Sequence, residues 1–161
     1  MFQSKIRIFV ILGLMAISLA LVGFMGQSAE PITRKQLREK LVELGYEVED
    51  LVKDEGKEKY SVVFVKNDLN IPVGFEISPS GNYVWLTVNL GEGPTTGNSK
   101  TLDLLKQNAK IQPTFFYITE KGLLMAALAV ENRGITNAVL KTRAETISTN
   151  VGGSKAIWQA E

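Results

Sequence analysis

Asn82-Tyr83-Val84-Trp85-Leu86-Thr87-Val88-Asn89-Leu90 alternates strictly between aliphatic residues and aromatic or polar ones. That period of two belongs to a β-strand with unlike faces. Val84, Leu86, Val88 and Leu90 fall on a side that should meet helices, while Tyr83, Trp85, Thr87 and Asn89 fall on a side where a sheet can stay partly open. Upstream, Ile71, Val73, Phe75 and Ile77 alternate with Pro72, Gly74, Glu76 and Ser78, which gives a second strand with one apolar face. Pro79-Ser80-Gly81-Asn82 is a tight turn between the two. Tyr60 to Lys66 is a further strand, joined to the second through Asn67-Asp68-Leu69-Asn70. Tyr46 to Val52 begins in phase but is broken by Asp50, as suits an edge strand. The four strands form an antiparallel meander, with the charged turn Lys53 to Lys59 as its solvated tip.

Helices frame the meander. Thr33 is the N-cap of the first, Gln36 completes a capping box, Ile32 can staple onto Leu37, and Leu37, Leu41 and Leu44 form the apolar stripe before Gly45 stops it. After Leu90 comes a loop with three glycines, Gly91 to Gly97. A second helix then starts at Asn98 or Ser99 and runs to about Ile111, with Leu102, Leu105 and Ala109 on one face and Leu104 beside them. Pro113 forbids its continuation. Thr114 to Thr119 is a strand, Glu120-Lys121-Gly122 a turn, and Leu123 to Val130 a strand apolar on both faces. Thr136 caps a last helix carrying Leu140, Ala144, Ile147 and Val151, ended by Gly152-Gly153. A short tail, residues 152–161, holds Trp158, expected to pack. The fold class is α+β: an antiparallel sheet of five to six strands flanked by helices, in the order α-ββββ-α-ββ-α.

Residues 1–29 stand apart. Lys5 and Arg7 precede Ile8 to Met25, 18 residues without a charge, and Gly26-Gln27-Ser28-Ala29 is a small-residue run suited to signal peptidase. The segment reads as a signal peptide, with an uncleaved membrane anchor through residues 8–25 as the alternative. Either reading makes the domain, residues 30–151, periplasmic or secreted, or anchored outside the cytoplasm. Without the segment, 16 basic residues face 17 acidic ones, so no overall field steers the protein onto nucleic acid or anionic lipid. Cysteine and histidine are absent. Disulfides, thiolate chemistry, His-based triads and the common zinc ligands are excluded with them.

Three stretches could carry chemistry. Gly93-Pro94-Thr95-Thr96-Gly97-Asn98-Ser99-Lys100-Thr101 has the look of a phosphate-binding loop, but Ser99 stands where a glycine must precede the lysine. It reads as a crossover loop, and the sequence calls for no cofactor and no metal. Glu131-Asn132-Arg133 gathers a carboxylate, an amide and a guanidinium at a strand end, able to hold an anionic group or a peptide backbone. Their competing role is a local turn and ion pair. Tyr83, Trp85, Phe116 and Tyr117 form an aromatic set suited to an extended peptide or apolar ligand on a sheet face, unless they are core. No paired carboxylates or nucleophile elbow accompany them.

Leu41-Val42-Glu43-Leu44-Gly45-Tyr46, Tyr83 to Val88, Leu104-Leu105-Lys106-Gln107-Asn108 running into Pro113-Thr114-Phe115-Phe116, and Glu131 to Thr136 give the stretch from Leu37 to Val151 a resemblance to the type III secretion chaperone-like family, which includes the Tir chaperone and YbjN-like domains. The resemblance implies an antiparallel sheet flanked by helices, a homodimer, and a binding role toward an extended protein client. The added export signal and the lack of acidic excess lie outside that pattern. The expected function is an exported, non-enzymatic module that holds a peptide or protein segment on its sheet face or edge through Tyr83, Trp85, Phe116, Tyr117, Asn132 and Arg133. A tethered envelope-assembly protein is the second reading, and a hydrolase the third. Leu123 to Val130, apolar on both faces, separately predicts a homodimer unless the C-terminal helix and Trp158 cover the outer face.

Overall fold

The computed structural model describes residues 30–95 and 98–159; the signal or anchor segment lies outside the described residues, as do Thr96, Gly97, Ala160 and Glu161. The elements are α1 (Arg34–Glu43), β1 (Glu49–Val52), β2 (Lys59–Lys66), β3 (Leu69–Ile77), β4 (Tyr83–Glu92), α2 (Ser99–Asn108), β5 (Phe115–Ile118), β6 (Leu123–Glu131), α3 (Asn137–Gly153) and α4 (Lys155–Trp158). One six-stranded antiparallel sheet has the order β1-β2-β3-β4-β6-β5. The α+β class and the order of elements are as the alternation and capping signals predict. Because β6 lies between them and pairs antiparallel with both, β4 and β5 run in the same direction, and α2 is the crossover of a split β-α-β unit.

Register sorts the side chains. Tyr60 opposes Phe75, Val62 opposes Val73, Phe75 opposes Leu86, and Leu86 opposes Leu128. These residues are buried on one side beneath α3, whose Leu140, Ala144, Ile147 and Val151 are fully inaccessible. Leu37 and Leu41 of α1 close the same layer. Thr33 accepts from the Gln36 amide and its own N–H donates to Gln36 Oε1, so the predicted capping box forms. Gly152 belongs to the last turn of α3, where a Cβ would approach Lys66 Cβ to 3.0 Å; its missing side chain lets the helix end cross close over the β2–β3 hairpin.

Three local expectations are corrected. The β2–β3 connection is a two-residue turn, with Asn67 and Asp68 at φ 50° and 58°, and Leu69 and Asn70 already belong to β3 opposite Lys66 and Val65. Asn and Asp tolerate the left-handed region, so this pair closes a hairpin without glycine. Second, α2 ends at Asn108 and turns Leu104 to the core, leaving Leu102 56% and Leu105 61% exposed. Asn108, four residues after Leu104 and on the same face, is fixed to the backbone of Phe116, and Gln107 donates to Ser154 Oγ. These polar ties set the helix rotation against its apparent stripe. Third, the tail is structured: α4 follows Ser154, and Trp158 Nε1 donates to Val151 O at 2.8 Å on the helix layer. The C-terminal helix and Trp158 therefore do not cover the outer face of β6.

Candidate functional site: the open sheet face

The reverse face of the sheet carries the residues that alternate with the core. In β2 these include Val63 and Val65, 56% and 70% exposed. Opposite Val63 stands Pro72, and opposite Ser61 stands Gly74. A Cβ on Gly74 would meet Thr87 Oγ1 at 3.1 Å, so β3 is low here because its neighbour's hydroxyl leans into the vacant position. Next comes β4 with Tyr83, Trp85 and Thr87, then β6 with Ala127 and Ala129, then β5 with Phe115 and Tyr117.

On β3 the outward residues are Pro72, Gly74 and Glu76: the strand is low at Gly74, while Glu76 stands opposite Trp85 and pairs with Lys59 of β2. Val63 and Val65 lie farther along β2, opposite Pro72 and Asn70. Trp85 and Phe115 meet edge to face, centroids 6.4 Å apart at 80°, and Phe115 and Tyr117 lie 5.9 Å apart. The first pair spans the β6 strip, which is why Ala127 is 1% exposed although no helix among the described residues covers this side. Small residues at Ala127 and Ala129 let rings from two flanking strands approach each other.

The structure brings Tyr83, Trp85 and Tyr117 onto this face and takes Phe116 away from it. Phe116 is 5% exposed on the helix side and belongs to the core with Leu104 and Leu124. Neighbours on one strand must face opposite ways, so Phe116 and Tyr117 cannot share a surface, and Phe115 occupies the place expected of Phe116. Sequence reasoning left out Phe115, Val63 and Val65. Alternation within residues 114–119 contains the Phe115–Tyr117 pair, but only the β5–β6 register assigns it to the Trp85 side.

Asn132 is a structural residue. It is 1% exposed; its Nδ2 donates to Ile32 O at 3.0 Å and Gly81 O at 2.8 Å, and its backbone N–H donates to Asn82 O. It thereby ties the entry to α1, the β3–β4 turn and the end of β6 together. Arg133 is exposed at the rim, where it shares a cleft of about 200 Å³ with Pro31, Asn82, Tyr83 and Glu131. Arg133 and Tyr83 thus meet at one corner of the open face.

The edge beside this face is closed by a side chain. Asn108 Oδ1 accepts from Phe116 N at 2.7 Å and Asn108 Nδ2 donates to Phe116 O at 3.1 Å. A side-chain amide so placed makes the two bonds that a neighbouring strand's peptide group would make. Beneath it, an apolar cavity of about 150 Å³ lies between α2 and β5, lined by Leu104, Leu105, Phe116, Ile118 and Leu124. At the other edge, Arg38 Nε donates to Asp50 Oδ1 at 2.8 Å, fastening α1 to β1. That bond, then the attraction of the guanidinium, holds the Asp50 carboxyl below its ordinary range.

No protein-family model matches the chain, and no curated protein matches it either. Solved structures do. The chain is similar to YbjN from E. coli, described as a putative transcription regulator, at 15% identity and a TM-score of 0.57, covering 80% of this chain and 96% of that one. It is also similar to a chain of the HopA1–SchA chaperone–effector complex, at 13% identity and a TM-score of 0.52, covering 81% of this chain and all of that one. At these identities the likeness establishes a shared fold.

Proposed function

We propose that this chain is an exported, non-catalytic binding module that holds an extended segment of a protein client across its open sheet face. The observation that carries the reading is the open face itself, with Trp85, Phe115 and Tyr117 as anchors. Half-buried rings held against one another on a fixed sheet offer apolar contact with little side-chain entropy to lose on binding. A chaperone–effector complex among the fold's relatives supports a protein client over a small molecule. Residues 1–29 supply the export signal or, uncleaved, a tether for an envelope-assembly protein. The mass of the mature N-terminus separates the last two.

The test is binding of a permanently unfolded polypeptide, followed by Trp85 fluorescence. Wild type should bind, and Phe115→Ala/Tyr117→Ala should bind at least about tenfold more weakly with the fold retained, a loss of roughly 1.4 kcal/mol. Equal binding by the two proteins would refute the open face as the site.

A homodimer through this face is the second reading, favoured by one observation. Since α4 and Trp158 lie on the helix layer, no helix among the described residues covers that side of β6, and Ala129 remains exposed beside the Trp85–Phe115 pair. An apolar surface of this kind suits a two-fold contact.

A further inference from the structure

We propose that the corner cleft beside Tyr83 reads charge: it selects a client segment whose apolar run is followed by a basic and then an acidic residue, the basic one at Glu131 and the acidic one at Arg133. The proposal rests on the reading of the open face as the binding surface and names which segments that face takes and in which direction they lie.

The cleft is built, and one buried side chain builds it. Three stretches of chain meet there: the entry to α1 at Pro31, the β3–β4 turn at Asn82, and the end of β6 with Glu131 and Arg133. Asn132, 1% exposed, holds all three. It donates from Nδ2 to Ile32 O and Gly81 O and from its backbone N–H to Asn82 O, while Pro31 bridges Arg133. Walls fixed in this way have little freedom left to lose when a ligand enters.

What the walls present is a pair of opposite charges left apart. Glu131 lies opposite Tyr83 at the end of β6, and Arg133 lines the same cleft two residues on. Both are exposed, and neither makes an ion pair or a side-chain hydrogen bond among the described residues. Glu76 differs: it stands opposite Trp85 but is already paired with Lys59. A carboxylate and a guanidinium that line one cleft without bonding each other are both open to a ligand that carries the complementary pair.

The order of the charges follows from the strand. Trp85 stands opposite Ala129 and Phe115 opposite Ala127, so Glu131 is the next position outward from the rings and Arg133 lies beyond it. A segment running from the rings to this corner meets the carboxylate first and the guanidinium second. The opposite order would set like charges together at both places. Rings supply affinity without direction; the charge pair supplies direction and register.

The experiment titrates the full chain with two peptides of one composition, an identical apolar run followed by Lys-Ser-Glu in one and Glu-Ser-Lys in the other. Both are acetylated and amidated so that no terminal charge competes. At low salt the Lys-Ser-Glu peptide should bind about tenfold more tightly, since an exposed ion pair is worth up to about fivefold and the opposite order turns both pairs into repulsions. The preference should fade in about 1 M salt, and Glu131→Lys/Arg133→Glu should reverse it with the circular dichroism of the fold retained. Equal binding of the two peptides by wild type overturns the proposal. A preference that persists in the double variant overturns it as well, because the order is then read elsewhere. Phe115→Ala/Tyr117→Ala is titrated in parallel. If it weakens both peptides while wild type ignores their order, the cleft fails and the open face stands; if wild type binds neither peptide, the face fails with it.

Discussion

Phe115 and Phe116 are adjacent, chemically identical and on opposite sides of one strand, so truncating each in turn separates core from binding surface. Phe116 is 5% exposed among Leu104, Leu124 and Ala126. Phe116→Ala removes a buried ring and leaves a cavity that a sheet under α2 can close only in part, which costs about 3–5 kcal/mol. Phe115 keeps one side in water and touches Trp85 and Tyr117. Its loss removes two ring contacts worth about 0.5–1.5 kcal/mol each, which share one ring and do not add fully, so Phe115→Ala should cost roughly 1–2 kcal/mol. For a domain of this size those values correspond to falls in Tm of roughly 10–20 °C and about 5 °C. Binding should show the reverse order: at a temperature where both variants are folded, Phe115→Ala loses affinity for unfolded polypeptide and Phe116→Ala keeps it. Calorimetry with fluorescence titration reads both quantities. Equal loss of stability in the two variants, or loss of binding confined to Phe116→Ala, would refute the assignment of faces.

Asn108→Ala strips the two bonds from Phe116 N and O at a water-accessible edge; it should cost about 1–3 kcal/mol in urea denaturation and promote self-association by light scattering. Asn132→Asp places a carboxylate against the carbonyls of Ile32 and Gly81 where a donor stood, and circular dichroism melts should show a larger loss, about 3 kcal/mol or more. The Arg38–Asp50 contact favours the ionised carboxylate in the fold, so its contribution is present above the ordinary carboxylate range and is lost as pH falls through the depressed folded value. A carbon-detected titration should find Asp50 below that range in wild type and restored in Arg38→Gln.

What the sequence made legible is what local chemistry determines. The Thr33–Gln36 box, the Leu140–Val151 stripe and the β4 alternation each specify their element within a few residues, so they survive without knowledge of the rest. The position of β6 between β4 and β5 is a long-range pairing that no local pattern states. The same gap hid half of the site: a period of two says that Phe115 and Tyr117 share a face, but only the pairing of Phe115 with Ala127 brings that face beside Trp85. Asn132 and Asn108 illustrate the other limit. Polar side chains that replace backbone partners look like surface or site residues until their distant acceptors and donors are known.

Backbone amide exchange of residues 30–161, with and without a bound unfolded polypeptide, tests the central claim most directly. The account predicts that binding slows exchange at β2, β3, β4 and β5 while broadening or shifting the ring signals of Trp85, Phe115 and Tyr117, with α1, α3 and α4 unaffected. Protection confined to the helix layer, with those three rings unperturbed, would contradict it.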